Sequence, residues 1–122
     1  MESKFFMHES TMQWEELGGG VSRQILGFNT QIMMVKVKFN KGSIGSLHQH
    51  FHSQTTYVAA GAFEFSIGDE TQIIRQGDAV YIKPNILHST VCIEDGILID
   101  VFSPVREDFL DGSAVSYFGD KK

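Results

Sequence analysis

Three of the five histidines fall within one short stretch, at His48, His50 and His52. Neutral imidazole is the commonest protein ligand for first-row divalent cations, so this stretch raises the question of a metal centre. On an extended strand, residues two apart point to one face. His48, His50 and Gln54 therefore share a parity and can converge on one point. A further histidine, His88, follows a Pro84-Asn85 turn at the end of the segment from Gly77. Three imidazoles and an amide oxygen make a ligand set for one divalent ion, with Zn, Ni, Mn or Fe(II) all compatible. A frame displaced by two would use His50 and His52 and put Thr56 in the fourth place. A hydroxyl is a poor metal ligand beside an amide carbonyl, so the frame ending at Gln54 is preferred and His52 is expected at the pocket rim.

A second group of chemically capable residues lies near the end of the chain, at Asp100, Phe102 and Arg106. Asp100 and Phe102 share a parity opposite to that of Ile97, Ile99 and Val101, so only one of the two sets faces the interior. An acid set among aliphatics without a purpose is costly. Asp100 thus lies either on the outside or against a cavity. Arg106, just past Pro104, either folds over the pocket mouth or forms a surface ion pair with Glu107 or Asp108.

These residues need strands to position them. Val35, Val37 and Phe39 alternate with Lys36 and Lys38, the pattern of a half-buried strand. Phe63, Phe65 and Ile67 alternate with Glu64 and Ser66 in the same way. Further strands are expected at 21–27, 54–60, 71–75, 79–83, 88–94 and 97–103, with turns at Asn40 to Ser43, Gly68-Asp69, Gly77-Asp78 and Pro84-Asn85. Gly61 is expected to end one strand, and Asp95-Gly96 to split another. Residues 1–13 and 106–122 carry little periodicity. About eight to ten short strands with little room for helix predict an all-β sandwich or barrel. The expected arrangement is a single domain over 1–122, with a core at about 31–103 and the segments 1–30 and 104–122 packing on or flanking the barrel.

The totals agree. At 122 residues the chain is about one domain long. A net charge of −5 without a basic patch gives no electrostatic footprint for nucleic acid. The single cysteine, Cys92, excludes an intrachain disulfide. The first residues hold an early acid and no sustained apolar run, so no signal peptide is read there, and no stretch reaches membrane-spanning length. The cytoplasm is the simplest expected location.

The motifs resemble those of the cupins. In that family the first motif runs Gly, five residues, His-x-His, three or four residues, Glu, six residues, Gly. Gly42, His48, His50 and Gly61 stand in register, with Gln54 where Glu is usual. The second runs Gly, five residues, Pro-x-Gly, two residues, His. Gly77, Pro84 and His88 fit it, with one extra residue before Pro84, Ile86 where Gly is usual and one residue fewer before His88. The resemblance covers about Gln31 to Ser103 and implies a double-stranded β-helix, or jelly-roll barrel, with one metal ion held by His48, His50, Gln54 and His88. A glutamine in place of glutamate would leave a divalent ion with neutral ligands only, a stronger Lewis acid and a better trap for an anionic substrate. Cupins host many activities, so the fold alone does not name one.

A narrower resemblance spans about Trp14 to Leu110. Trp14-Glu15-Glu16-Leu17-Gly18, Ile25-Leu26-Gly27, Met33 to Val37, Gln54-Thr55-Thr56-Tyr57-Val58 and Asp100 to Leu110 together look like the KdgF family of pectin- and alginate-degradation cupins. What it implies is a metal on His48, His50, Gln54 and His88, with Asp100 and Arg106 as catalytic residues and Phe102 and Arg106 contacting substrate. The implied reaction converts 4,5-unsaturated monouronates, small anionic sugars, to linear 5-keto uronates. Small cupins commonly pair through outer sheet faces, so a homodimer is expected, with outward Ile97, Ile99 and Val101 suited to the contact. Neither a nucleic acid nor a membrane is expected as partner. The competing readings are a metal-dependent dioxygenase of the small-cupin type and a cupin that binds a sugar acid without altering it.

Overall fold

The computed structural model describes residues 1–111 and builds them from eight strands joined in one antiparallel network. In chain order these are β1 (Glu15–Gly18), β2 (Val21–Asn29), β3 (Ile32–Phe39), β4 (Ile44–His48), β5 (Ser53–Ile67), β6 (Glu70–Arg75), β7 (Ala79–Ile82) and β8 (His88–Ser103). A 3-10 turn at Glu9–Thr11 precedes them and a short helix, α1 (Glu107–Asp111), follows. In the C-terminal segment, Val105 and Phe109 pack with the core; residues 112–122 of the expected flanking tail lie outside the described residues. At the other end, Glu2 makes an isolated bridge to Asn29.

Two long strands carry the architecture. β5 and β8 pair along their whole lengths, from Ser53 opposite Ser103 to Ile67 opposite His88. The first half of β5 also pairs with β7 and the second half with β6. The first half of β8 pairs with β4 and the second half with β3, which continues to β2 and β1. Each long strand thus passes from one layer, β4-β8-β5-β6, into the other, β1-β2-β3-β8-β5-β7, as in a jelly roll.

Gly61 and Gly96 do not end strands, contrary to the expectation. They are the bends of β5 and β8, and they lie against each other. A methyl group on Gly61, whose φ is 82°, would come within 2.6 Å of the Gly96 Cα, and one on Gly96 would come within 2.5 Å of the Ala60 carbonyl oxygen. Close backbone approach at a bend requires residues without a Cβ. The pairing register shifts here, and the shift reverses which parity of β5 faces inward. Gln54, Thr56 and Val58 point in before it, and Phe63 and Phe65 after it.

The apolar alternation reads through into the core. Met33, Val35, Val37 and Phe39 of β3 are buried, and they join Val58, Phe63, Phe65, Leu98 and Phe102. Phe39 meets Phe63 edge to face at 5.3 Å between ring centroids. Burial of each such side chain stabilises the fold by about 1.5–3 kcal/mol. On β8 the inward set is Leu98, Asp100 and Phe102, and Ile97, Ile99 and Val101 face out, only partly covered. That resolves the parity left open in the sequence.

Candidate metal centre and its pocket

The histidines converge, though not by the route their spacing suggested. β4 ends at His48, residues 49–52 form a bend, and β5 begins at Ser53. His50 is thus presented by a loop rather than by strand parity. His48 faces His88 directly across the β4–β8 pair, and their rings lie 4.2 Å apart. Ring nitrogens of His48, His50 and His88 all lie within 4.8 Å of one another.

The hydrogen bonds fix which nitrogens face inward. Nδ1 of His48 donates to the Ser46 carbonyl at 2.6 Å, Nδ1 of His88 to the Ile86 carbonyl at 2.9 Å and Nδ1 of His50 to the His52 carbonyl at 3.1 Å. A carbonyl oxygen only accepts, so each Nδ1 carries the proton and each Nε2 presents a lone pair. This is the usual way a protein holds histidine ligands. Nε2 of His88 is buried with no hydrogen-bond partner among the described residues. Nε2 of His50 faces Oε1 of Gln54 at 2.9 Å. With Nδ1 protonated, both of those atoms are acceptors, and two lone pairs at that distance call for a cation between them. The residues present therefore fit the metal that the sequence implied. His48, His50 and His88 can hold a metal ion, and Gln54 is placed to add its oxygen.

Electrostatics keep the imidazoles neutral. Burial, with neighbouring imidazoles and Arg106 adding to it, lowers His48 to a pKa of about 4. Burial and then the Arg106 charge lower His50 to about 4. His88 and His52 move down for the same two reasons. Neutral imidazole is the form that binds metal, so no proton need leave at neutral pH.

Beside the histidines lies a cavity of about 70 Å³, lined by His48, Gln54, His88, Asp100, Phe102, Arg106 and Phe109 among others. Asp100 is half-buried on its wall and accepts a hydrogen bond from the Thr56 hydroxyl at 2.7 Å. Desolvation raises its pKa to about 6, against the opposing pulls of that hydroxyl and of Arg106. A carboxyl in this state exchanges protons near neutrality. Arg106 is 3% exposed. Its guanidinium lies 5.0 Å from the Phe102 ring centre and 4.2 Å from that of Phe109, and it pairs with Asp108 through Nε at 3.1 Å and Nη2 at 2.9 Å. Arg106 thus lines the cavity and also forms a local ion pair.

A second, wider cavity of about 360 Å³ adjoins the first, sharing Arg106 and lined also by His50, Phe51, His52 and Asp108. Its size is that of a small-molecule site. His52 lies in the loop and lines this wider cavity, buried under a stacked Phe51 ring at 4.0 Å, and it stands outside the three-histidine group. Two contributors were not expected from the sequence in the roles they take. Phe109 lies between the guanidinium groups of Arg23 and Arg106, each 4.2 Å from its ring centre. Thr56 accepts from Nε2 of Gln54 at 2.9 Å while donating to Asp100. Its spacing of two from Gln54 was the available signal.

Residues 35–102 match the family model for the cupin domain, and the fold and pocket are those of a cupin. The chain is 47% identical over 109 residues to the pectin degradation protein KdgF of Dickeya dadantii (strain 3937), covering 88% of this chain and 98% of that protein. It superposes on the structure of KdgF from Halomonas sp. with a TM-score of 0.84 and 35% identity, covering 88% of this chain and 99% of the other. An RmlC-like cupin from Shewanella frigidimarina NCIMB 400 superposes with a TM-score of 0.87 and 42% identity, covering 88% and 97%. The chain belongs to the cupin superfamily and, within it, to the KdgF family. No helix among the described residues is long and apolar enough to cross a membrane.

Proposed function

We propose that this chain converts 4,5-unsaturated monouronates, the end products of pectin or alginate lyases, to linear 5-keto uronates. The observation that carries the reading is the shared cavity in which Asp100, Phe102 and Arg106 meet the histidine cluster. The reaction is an isomerisation. The anomeric hydroxyl loses its proton as its carbonyl forms, the bond from the anomeric carbon to the ring oxygen breaks, and the enolate left behind takes a proton at C4.

Asp100 moves those protons, because it is the carboxyl of the cavity held near its exchange point. Arg106 binds the sugar carboxylate, since a guanidinium has five donors and Asp108 engages only two nitrogens. Phe102 gives an apolar wall that orients the ring and thins out water. A divalent cation on His48, His50, Gln54 and His88, with Zn, Ni, Mn and Fe(II) all compatible, would supply Lewis-acid stabilisation to oxygen bearing negative charge. The conjugated enol ether absorbs in the ultraviolet and the linear ketone does not. Purified protein should speed the loss of that absorbance beyond its spontaneous rate, and a chelator should abolish the effect. No acceleration with metal bound would leave a sugar-acid-binding protein instead.

We also propose a homodimer in the cytoplasm. The outer face of β3, β8, β5 and β7 presents Ile99 and Val101 beside exposed Ile32, Met34, Tyr57 and Tyr81. Apolar patches of this kind usually mark interfaces. Sedimentation of the wild type and of T55E/Y81E tests it: a dimer should become a monomer.

A further inference from the structure

We propose that Thr56 is a positioning residue that sets which atom of Gln54 faces the histidines. The effect expected on turnover rests on the function proposed above. Thr56 is 1% exposed, so its hydroxyl has no recourse to bulk water. It has one proton to give. Oδ1 of Asp100 stands 2.7 Å away and Nε2 of Gln54 stands 2.9 Å away. A carboxylate oxygen can only accept, so the proton goes to Asp100. What remains toward Gln54 is a lone pair, and only a donor can sit opposite it. The amide must therefore present nitrogen to Thr56 and oxygen to the other side, where Oε1 lies 2.9 Å from Nε2 of His50. Turned over, the amide would set two acceptors against each other in the interior and point hydrogens at the lone pairs of the cluster.

Oδ1 of Asp100 takes the only proton of the Thr56 hydroxyl and so holds the hydroxyl's lone pair toward Gln54. Donation thus has one direction, from Gln54 through Thr56 to Asp100. It also accounts for glutamine at position 54. Glutamate there would bring a second acceptor to a hydroxyl whose only proton is already committed.

Two substitutions test this on the full chain. T56V keeps the shape and removes the hydroxyl; T56S keeps the hydroxyl. Zinc affinity is read by competition with a chromophoric chelator, and kcat and KM are read from initial rates of uronate absorbance loss. T56V should weaken zinc binding and lower kcat, each by about 10–100-fold, while KM stays within about threefold, and T56S should recover both to within about threefold of wild type. Unchanged zinc affinity in folded T56V, or a T56S as impaired as T56V, would overturn the proposal in favour of a packing role. Should T56V fail to fold, T56A removes the hydroxyl without adding bulk and is read by the same criteria. If the wild type does not accelerate uronate decay, the functional reading falls, while zinc affinity still decides whether Thr56 aligns Gln54.

Discussion

Two aspartates lie near one arginine, and they shift in opposite directions. Asp108, on the short helix at the mouth, accepts two hydrogen bonds from Arg106. Burial alone would raise it, but those bonds and the Arg106 charge prevail and hold it below the ordinary carboxylate range. Asp100, on β8 beside the histidines, has a hydroxyl for a donor and a desolvated setting, and its pKa rises to about 6. The contrast teaches that direct pairing, not nearness of charge, decides the outcome. The mouth carboxylate is a fixed anion that steadies Arg106, and the inner one is poised to gain and lose a proton.

Replacing the inner carboxyl should do the most damage. D100N keeps the shape and can still accept from Thr56, but it cannot carry a proton. Turnover should fall by about 10²–10⁴-fold, with zinc affinity within a few-fold of wild type. Comparable losses in both quantities would mean that Asp100 serves the metal site instead. R106K comes next. Lysine keeps the charge but loses the planar fork, so KM for the uronate should rise by about 10–100-fold, more than kcat falls.

Acid should separate the histidines from Asp100 in the metal-free protein. His48 and His50 drop from 6.5 to about 4 on folding. Between those values the unfolded chain binds more protons, so their contribution to stability is complete above pH 6.5 and declines as pH falls through the window. Asp100, raised from 3.8 to about 6, contributes with the opposite sign: its share is complete below 3.8 and is lost as pH rises through 6. Two imidazoles outweigh one carboxyl, so the urea midpoint should be lower at pH 5 than at pH 7. A higher midpoint at pH 5 would contradict the neutral state assigned to the histidines. D108N should have the mildest effect, a rise in KM of about two- to fivefold, because a partly exposed ion pair contributes little on its own. If D108N proved as harmful as D100N, the distinction between mouth and interior would collapse.

Much of this arrangement could be read from residue types. Alternation in β3 and at Leu98, Asp100 and Phe102 is a period-two pattern and survives intact in the structure. The histidine set was legible because few residue types bind metal. What stayed hidden depended on contacts between distant segments. Gly61 and Gly96 each look like an end of a strand, and only their apposition across β5 and β8 makes them bends. His50 joins the cluster from a loop, which strand parity does not describe. In the second motif, Asn85 rather than Ile86 takes the left-handed conformation, with φ 65°. Counted from Gly77 it stands where the motif has glycine, and asparagine tolerates that region better than isoleucine does. Thr56 was weighed only as a ligand; its part as a link between Gln54 and Asp100 needed the packed interior.

The most direct test of the central claim is proton NMR of the product formed from the unsaturated monouronate in heavy water, sampled early in the reaction. If a fixed carboxyl in the cavity delivers the proton, deuterium should enter one of the two positions at C4 in the protein-catalysed product, and both positions in the spontaneous one. Accelerated ring opening with deuterium spread equally over both positions would contradict the account, because protonation would then occur in solution and not at Asp100.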